Sequence, residues 1–327
     1  MRAIRIEAHG GPDRLQLVEL PLPEPKSGEV RVRHRAIGVN FVDVYHRSGL
    51  YPMPLPLVLG TEGAGVVDAV GAGVTHLATG DRVAYAARTL GSYAEARTLD
   101  AAQVVKLPDS IDFEHAAAMM LKGLTVQYLL ERTQPHGGLA PGDPIVWHAG
   151  AGGVGLIACQ WAKALGLVVI ATAGSAAKCE LAKQHGATHA IDYTKDDVVA
   201  RVRELTGGKG VKVVYDSVGK DTWERSLDCL APLGLMVSFG NASGPVPPVA
   251  LSSLMMRGSL YVTRPTLGTH TATRELVEDG ARSLFAMVTS GKVKIDIGRR
   301  YPLAEAAHAH SDMEARKTTG STILTID

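Results

Sequence analysis

Residues 145–158, IVWHAGAGGVGLIA, join an apolar run to a glycine-rich turn and then to a second apolar run. Gly150, Gly152 and Gly155 fit the pattern G-x-G-x-x-G, in which a tight turn, close backbone approach and helix–sheet packing each exclude a side chain. A pyrophosphate would bind the free amide groups at the start of the following helix, where the helix dipole favours negative charge. The pattern predicts dinucleotide contacts at Gly150, Gly152, Gly153, Val154 and Gly155.

Strand-like and helix-like runs alternate on the carboxyl side of this turn. Residues 168–173 form the next apolar strand-like run, and the alternation continues to residues 235–239. This alternation of strands and helices predicts βαβ units and a parallel sheet. A glycine-rich loop alone leaves a merely structural turn open, but the strand–turn–helix context favours a dinucleotide site.

Residues 173–178, AGSAAK, follow the second predicted strand. An NAD-binding chain would carry Asp or Glu there to bind the ribose hydroxyls. Without that acid, Ser175 and Lys178 could bind a 2′-phosphate, with Gly174 and Tyr193 beside them. The segment therefore predicts NADPH, although Lys178 also fits a solvated helix residue, which is how most lysines behave.

The remaining chain is predicted to form a β-rich first domain and a helical tail. Short β-type runs between glycine-rich turns occupy the first 107 residues, as in an antiparallel barrel or sandwich. Residues 113–132 read as two helical segments and residues 273–290 as a long amphipathic helix. Strand-like runs follow at residues 299–303 and 321–324.

Composition narrows the class of protein. A length of 327 residues favours two domains. The 34 Lys and Arg residues nearly balance the 33 Asp and Glu residues, so the net charge does not attract the protein to nucleic acid or to an anionic membrane. Three widely spaced cysteines predict buried free thiols and a reducing compartment. The N-terminal residues lack a signal-peptide core, and the longest apolar stretch is too short to span a bilayer. We expect a soluble, cytoplasmic protein.

Two segments have the pattern of a zinc site without its ligands. Asn40 in GVNFVDVY (residues 38–45) and Thr61 in GTE (residues 60–62) stand where zinc-dependent medium-chain dehydrogenases carry Cys and His. Amide and hydroxyl groups are poor zinc ligands, so no metal is expected, and His308 and His310 read as surface residues. With residues 47–52 (RSGLYP), 121–125 (LKGLT), 216–219 (DSVG) and 238–241 (SFGN), the whole chain resembles the zinc-free quinone oxidoreductase branch of the medium-chain dehydrogenase/reductase superfamily.

The resemblance implies an α/β architecture. A GroES-like β-rich catalytic domain would comprise residues 1–124 and 264–327, completed by the late strands, and a Rossmann doubly wound parallel-sheet domain would comprise residues 125–263. It implies NADPH-dependent hydride transfer to a quinone without metal. The alternatives are an enone or alkenal reductase using the same site, or a non-catalytic NADPH- or RNA-binding, crystallin-like protein. A homodimer paired through the strand-like residues 259–262 is also expected.

The resemblance also implies individual site residues. Further cofactor contacts would be Phe41, Val42, Asp43, Val44, Tyr45, Tyr128, Ser217, Phe239, Gly240, Asn241, Arg264 and Arg316. Asn40 is the leading candidate for a donor near the nicotinamide or substrate oxygen, against local turn bonding. Tyr45 and Tyr51 could each offer a phenolic donor and an aromatic wall, or pack between the domains. Arg264 fits a cofactor contact or an interdomain ion pair, and the Asp43 side chain reads as structural.

Overall fold

The computed structural model describes residues 1–326 and divides into two compact units. The first unit comprises Met1–Leu124, His270–Thr289 and the chain from Ile295 onward. The second comprises Thr125–Thr269 and Ser290–Lys294. No helix within residues 1–326 has both the length and the apolar character needed to cross a bilayer.

The secondary structure follows the alternation seen in the sequence. The strands are β1 (Arg2–Ile6), β2 (Gln16–Glu19), β3 (Glu29–Val39), β4 (Leu57–Val58), β5 (Glu62–Val70), β6 (Arg82–Ala86), β7 (Ala96–Asp100), β8 (Val104–Lys106), β9 (Pro144–Trp147), β10 (Val168–Ala173), β11 (His189–Asp192), β12 (Val211–Asp216), β13 (Leu230–Ser238), β14 (Tyr261–Thr263), β15 (Ile297–Pro302) and β16 (Ser321–Thr325). The helices are α1 (Phe41–Ser48), α2 (Phe113–Glu131), α3 (Gly153–Ala164), α4 (Ala176–Gln184), α5 (Val198–Leu205), α6 (Trp223–Cys229), α7 (Leu251–Met256), α8 (Leu267–His270), α9 (Arg274–Thr289) and α10 (Ala306–Glu314). Short 3₁₀ turns lie at Pro12–Arg14, Ala101–Gln103 and Leu303–Glu305.

The first unit is built on antiparallel strands. Its larger sheet has the order β15-β16-β3-β5-β6-β8, with β7 also paired to β3, and its smaller sheet has the order β2-β1-β4. Along β3, Val30 and Val32 are fully buried, whereas Arg33, which follows Val32, is exposed. Such alternation, with a period of two residues, is typical of a half-buried strand. β16 pairs antiparallel with β3, with Thr322 opposite Val39. The end of the chain thus belongs to the first unit.

α2 is a single helix, so the prediction of two helical segments was wrong. Gly123 lies inside this helix. A Cβ atom on Gly123 would lie 2.4 Å from Cδ1 of Leu284 in α9. Glycine at this position lets the two helices pack closely, and the helix continues because both are buried against one core.

The second unit contains a six-stranded parallel sheet. Its order is β11-β10-β9-β12-β13-β14, which in chain order is the 3-2-1-4-5-6 arrangement of doubly wound nucleotide-binding folds. Ile145, Val146 and Trp147 are all buried, as expected for a strand covered on both faces by helices. The predicted Rossmann fold is confirmed. The three cysteines are buried and unpaired, which confirms the interpretation of free thiols.

Leu233 has a strained backbone and offers a stability test. Its φ is +61°, and its side chain is 50% exposed. The left-handed region costs leucine about 1–2 kcal/mol, whereas the greater chain entropy of glycine costs about 0.5–1 kcal/mol. Leu233→Gly should therefore raise the free energy of unfolding by about 0.5–1 kcal/mol in urea titrations. Leu165→Gly, with a φ of −83°, is the control and should be destabilising; a loss of stability in Leu233→Gly would contradict the assignment of strain.

Candidate functional site

The six parallel strands of the second unit end at the same edge of the sheet, because every neighbouring pair is parallel. The residues that directly follow the strands β9 to β14 are, in chain order, His148, Gly174, Tyr193, Ser217, Phe239 and Arg264. All but His148 were predicted from the sequence as nucleotide contacts. Ligands of doubly wound sheets bind beyond the carboxyl ends of the strands. The structure therefore gathers these predicted residues at the edge where a nucleotide would bind.

The glycines in the turn after β9 lack side chains for two different reasons. A Cβ atom on Gly150 would lie 2.6 Å from Cβ of Ala171, and one on Gly155 would lie 2.4 Å from the carbonyl oxygen of Ala149. One on Gly152 would have that same oxygen at 3.3 Å as its only neighbour within 4 Å. Gly150 and Gly155 are thus required by the protein's own packing. Gly152 is crowded far less, so its lack of a side chain leaves room for a ligand at the start of α3.

The first turn of α4 has a side-chain cap, Ser175, and a positively charged residue, Lys178. Ser175 is the N-cap, and its hydroxyl accepts the backbone N–H of Lys178 at 3.3 Å. No acidic residue occupies this first turn. A cation at a helix N-terminus opposes the dipole by about 0.3–1 kcal/mol, so this arrangement suits an anionic ligand. Tyr193 packs beside it, because a Cβ atom on Gly174 would lie 2.6 Å from the Tyr193 hydroxyl oxygen.

A buried polar network beneath the glycine turn was missed from the sequence. His148 contacts Thr172 Oγ1 through Nδ1 at 2.8 Å and Ser226 Oγ through Nε2 at 2.9 Å, and Ser226 donates to Asp216 at 2.7 Å. Because the Ser226 proton goes to a carboxylate, Nε2–H of His148 donates to Ser226 and Nδ1 accepts from Thr172. Burial lowers the pKa of His148, which keeps the ring neutral. The network fixes the ends of β9, β10 and β12; a polar residue directly after a buried strand was its signal in the sequence.

The other predicted residues of the second unit lie around the same strand ends. Trp147 stacks on Tyr215 with ring centroids 4.7 Å apart, and Phe239 lies 5.6 Å from the Trp147 ring. Arg264 donates to Ser238 Oγ at 3.2 Å and to the Gly240 carbonyl oxygen at 3.1 Å. It thereby joins the ends of β13 and β14, next to Asn241. Tyr128 is buried in α2, and burial raises the pKa of its hydroxyl.

In the first unit, Asn40 is bonded both across the fold, through its side chain, and within its own turn, as the N-cap of α1. Its side-chain amide donates to Glu62 Oε2 at 2.8 Å. The fully buried Glu62 also accepts the Leu121 N–H at 2.7 Å and pairs with Lys122 Nζ at 3.4 Å. A carboxylate can only accept, so this contact fixes the orientation of the Asn40 amide. Sequence reasoning missed Glu62 and Lys122 as its partners.

Asp43 belongs to a second buried cluster at the start of α1. Its Oδ2 accepts the Asn40 backbone N–H at 2.8 Å and the Tyr93 hydroxyl at 3.1 Å. The Tyr93 oxygen also contacts His310 Nε2 at 2.9 Å. His310 is fully buried, so its interpretation as a surface residue was wrong. Positions two apart on a helix do not share a face, and α10 turns His310 inward while His308 stays exposed.

Three aromatic residues of the predicted site lie together on and after α1. The Tyr45 and Tyr51 rings meet edge to face at 5.2 Å, and the Phe41 ring lies 6.3 Å from that of Tyr45. The Tyr51 N–H donates to the Tyr45 carbonyl oxygen at 3.0 Å, which fixes the turn between them. Val42 is half-buried and Val44 buried on the same helix. Arg316 follows α10, exposed and with a φ of +58°.

The positions that resemble metal ligands carry other groups. Asn40 is engaged with Glu62, and the buried Thr61 Oγ1 has no hydrogen-bond partner among residues 1–326. In that same part of the chain, no three His, Cys, Asp or Glu side chains are grouped so that they could hold a metal ion.

Two family models match separate parts of the chain. An alcohol dehydrogenase GroES-like domain matches residues 26–109, which confirms the predicted GroES-like fold, and a zinc-binding dehydrogenase model matches residues 153–282. The quinone oxidoreductase of Pseudomonas aeruginosa is 57% identical over 99% of both chains, and a 2-haloacrylate reductase of a Burkholderia species is 44% identical over 98% of this chain and 97% of its own.

A solved structure agrees closely with the fold. The Escherichia coli quinone oxidoreductase complexed with NADPH superimposes with a TM-score of 0.97 at 51% identity and covers 100% of both chains. Full-length identity of this degree, together with the matched domains, places the chain among close relatives. The chain belongs to the quinone oxidoreductase branch of the medium-chain dehydrogenase/reductase superfamily.

Proposed function

We propose that this chain is an NADPH-dependent quinone reductase, with the second unit binding the nucleotide and the first supplying the catalytic residues. One observation carries the proposal: the strand ends of the second unit bring an open glycine turn beside a helix N-terminus that holds a cation and no acid. Relatives at 57% and 51% identity are named quinone oxidoreductases, and the second is complexed with NADPH.

The residues present fit NADPH. The first-turn amides of α3, at Gly153 and Val154, would bind the pyrophosphate. The N-cap Gly152, whose own N–H donates to the Ala149 carbonyl oxygen at 3.0 Å, would contact the phosphate by leaving its approach open. Ser175, Lys178 and Tyr193 would bind the 2′-phosphate. Further contacts in the second unit would come from Tyr128, Gly174, Ser217, Phe239, Gly240, Asn241 and Arg264. Phe41, Val42, Asp43, Val44, Tyr45 and Arg316 of the first unit complete the proposed set.

Bound NADPH supplies a hydride to the acceptor; with one added proton, a quinone is reduced to a hydroquinone and NADP⁺ remains. The chain's own task is to orient the acceptor and to donate hydrogen bonds to the oxygen that becomes negative. Asn40 would donate through the amide hydrogen that does not bind Glu62, because the contact with Glu62 uses only one of the two. Tyr45 and Tyr51 would provide an aromatic wall for a flat acceptor.

The acceptor class is tested by a panel of electron-poor compounds. The relative named 2-haloacrylate reductase favours an activated alkene as the second candidate. NADPH oxidation should be followed with 1,4-benzoquinone, 2-cyclohexenone and 2-chloroacrylate. We expect a higher kcat/KM for 1,4-benzoquinone than for either alkene. A higher kcat/KM for 2-cyclohexenone or 2-chloroacrylate would instead support the alternative function, an enone or alkenal reductase. Binding of NADPH without turnover would leave the non-catalytic alternative, for which an RNA gel shift at physiological salt is the further test.

We further infer a homodimer that pairs through β14. This strand is the last of its sheet, and unpaired sheet edges are usually covered in native proteins. Large apolar side chains are exposed on it and on the preceding α7: Leu251, Met255, Met256, Tyr261 and Val262. A second copy related by a two-fold axis would extend the sheet and cover this patch.

The dimer is tested by placing charge in the patch. Sedimentation velocity should show a dimer for the unaltered chain and a monomer for Met256→Glu/Val262→Glu, because two carboxylates per copy would meet their own images across the axis. Leu17→Glu, at an exposed apolar position of the first unit, is the control and should stay dimeric. An unaltered chain that sediments as a monomer would rule out this interface.

The three cysteine thiols support a reducing, cytoplasmic setting for the enzyme. All three are buried and unpaired, and burial raises the pKa of Cys159 and Cys229 to about 12. Such thiols are protected from oxidation and serve as small apolar core residues.

A further inference from the structure

We propose that Asp43 is a positioning residue: its charged carboxylate holds the first turn of α1, and with it Asn40, in the arrangement that quinone reduction requires. The proposal rests on the proposed function, because Asn40 is assigned there as the donor to the acceptor oxygen. It adds a group that does not touch the acceptor but sets how the donor is held.

The carboxylate of Asp43 is buried with an incomplete set of partners. The Asn40 backbone N–H and the Tyr93 hydroxyl both donate to Oδ2, whereas Oδ1 is buried and has no hydrogen-bond partner among residues 1–326. Other acids that cap helical turns here, such as Asp100, are solvent-exposed. A carboxylate that cannot exchange its partners for water is sensitive to its own protonation.

A series of hydrogen bonds runs from Arg47 through His310 and Tyr93 and ends at Asp43, which accepts the last of them. Arg47 can only donate, so its Nη1 donates to His310 Nδ1 at 3.2 Å. His310 Nε2–H then donates to the Tyr93 oxygen at 2.9 Å, and the Tyr93 proton is directed to Asp43. Burial, followed by the Arg47 charge, lowers the pKa of His310 to about 3, so the ring stays neutral. At its outer end Arg47 pairs with Glu314 through two contacts of 2.8 and 2.9 Å.

Burial and, to a smaller extent, nearby charges set the pKa of Asp43. Burial raises the pKa of Asp43 to about 7, partly offset by the hydrogen bonds from Asn40 and Tyr93. The nearby Glu62 raises this pKa and Lys122 lowers it. Glu62 and Lys122 are also the pair that holds the Asn40 side chain. A proton on Asp43 therefore weakens both donors to Oδ2 and changes the charge beside the Asn40 contact.

The kinetic test compares Asp43→Asn with the unaltered chain. For the unaltered chain, kcat/KM for 1,4-benzoquinone should fall about fivefold from pH 8 to pH 6, the size of one lost capping interaction. Asp43→Asn cannot ionise and should be flat at the lower value. Asp100→Asn, the same change at an exposed cap, should retain the unaltered profile. Parallel profiles for Asp43→Asn and the unaltered chain would overturn the proposal.

Tyr93→Phe gives a second, directional test that does not require Asp43 to be changed. Its hydroxyl lowers the pKa of Asp43, so its loss should move the midpoint of the kinetic profile to higher pH. An unmoved midpoint would show that another group is titrating and would overturn the proposal.

A stability measurement separates this proposal from the proposed function. The pKa of Asp43 is raised in the folded state above the ordinary value of 3.8, so the folded chain binds more protons between about pH 4 and 7. The midpoint of urea unfolding for the unaltered chain should therefore fall relative to that of Asp43→Asn as pH rises through this window, and stay constant above it. A constant difference would overturn the assigned ionisation, whether or not any quinone is reduced.

Discussion

Gly155→Ala is expected to destabilise the second unit by about 3 kcal/mol and to weaken NADPH binding at least about 100-fold. The added Cβ would lie 2.4 Å from the Ala149 carbonyl oxygen and 2.7 Å from the Gly150 carbonyl carbon. Both are backbone atoms in a tight turn, so relief requires the turn to open. The turn would then lose amide donors to the pyrophosphate, each worth about 1.5–3 kcal/mol with a charged partner. Urea unfolding and calorimetric NADPH titration measure the two effects.

Gly152→Ala separates ligand approach from folding. Its Cβ would meet only the Ala149 oxygen, at 3.3 Å, so the unfolding free energy of the ligand-free protein should change little. NADPH affinity should still fall about tenfold or more, because the methyl group would occupy the path of the phosphate. If Gly152→Ala bound NADPH as well as the unaltered chain, the proposed position of the pyrophosphate would be wrong.

Lys178→Met should reverse the coenzyme preference. Loss of a charged contact to the 2′-phosphate should cost about 1.5–3 kcal/mol, which is about 10- to 100-fold in the Kd for NADPH. The Kd for NADH, which lacks this phosphate, should stay nearly constant.

Lys183→Met is the matched control for this change, because Lys183 is an exposed lysine in the last turn of the same helix. It should leave both dissociation constants unchanged. Equal loss of NADPH and NADH binding in Lys178→Met would mean that Lys178 supports the fold rather than the phosphate.

The nucleotide fold could be predicted from sequence because its signals are local. The run from Ile145 to Ala158 encodes strand, turn and helix in consecutive residues, and the missing acid before Lys178 is visible within one short segment. The parallel pairing of the strands follows from the alternation of strand and helix, whereas the order of the strands in the sheet was not predicted. The late strand β16 was also recognisable, and its return to the first domain was expected partly from resemblance, but its pairing with β3 was not predicted.

The polar clusters could not be predicted, because they join residues that are distant in the chain. Asn40 reaches Glu62 and Lys122 only after β5 and α2 have packed beside it. His310 was misjudged for the same reason: its burial depends on which face α10 turns to the core. Residues 113–132 likewise read as two helical segments, whereas α2 is one helix in which Gly123 packs against Leu284 of α9.

The central claim is that the chain binds a phosphorylated dinucleotide and passes its hydride to a quinone. The most direct measurement is the anaerobic initial rate of coenzyme oxidation by 1,4-benzoquinone, with NADPH and NADH compared on one preparation. We predict quinone-dependent oxidation with kcat/KM at least about tenfold higher for NADPH. No quinone-dependent oxidation, or a higher kcat/KM for NADH, would contradict the account.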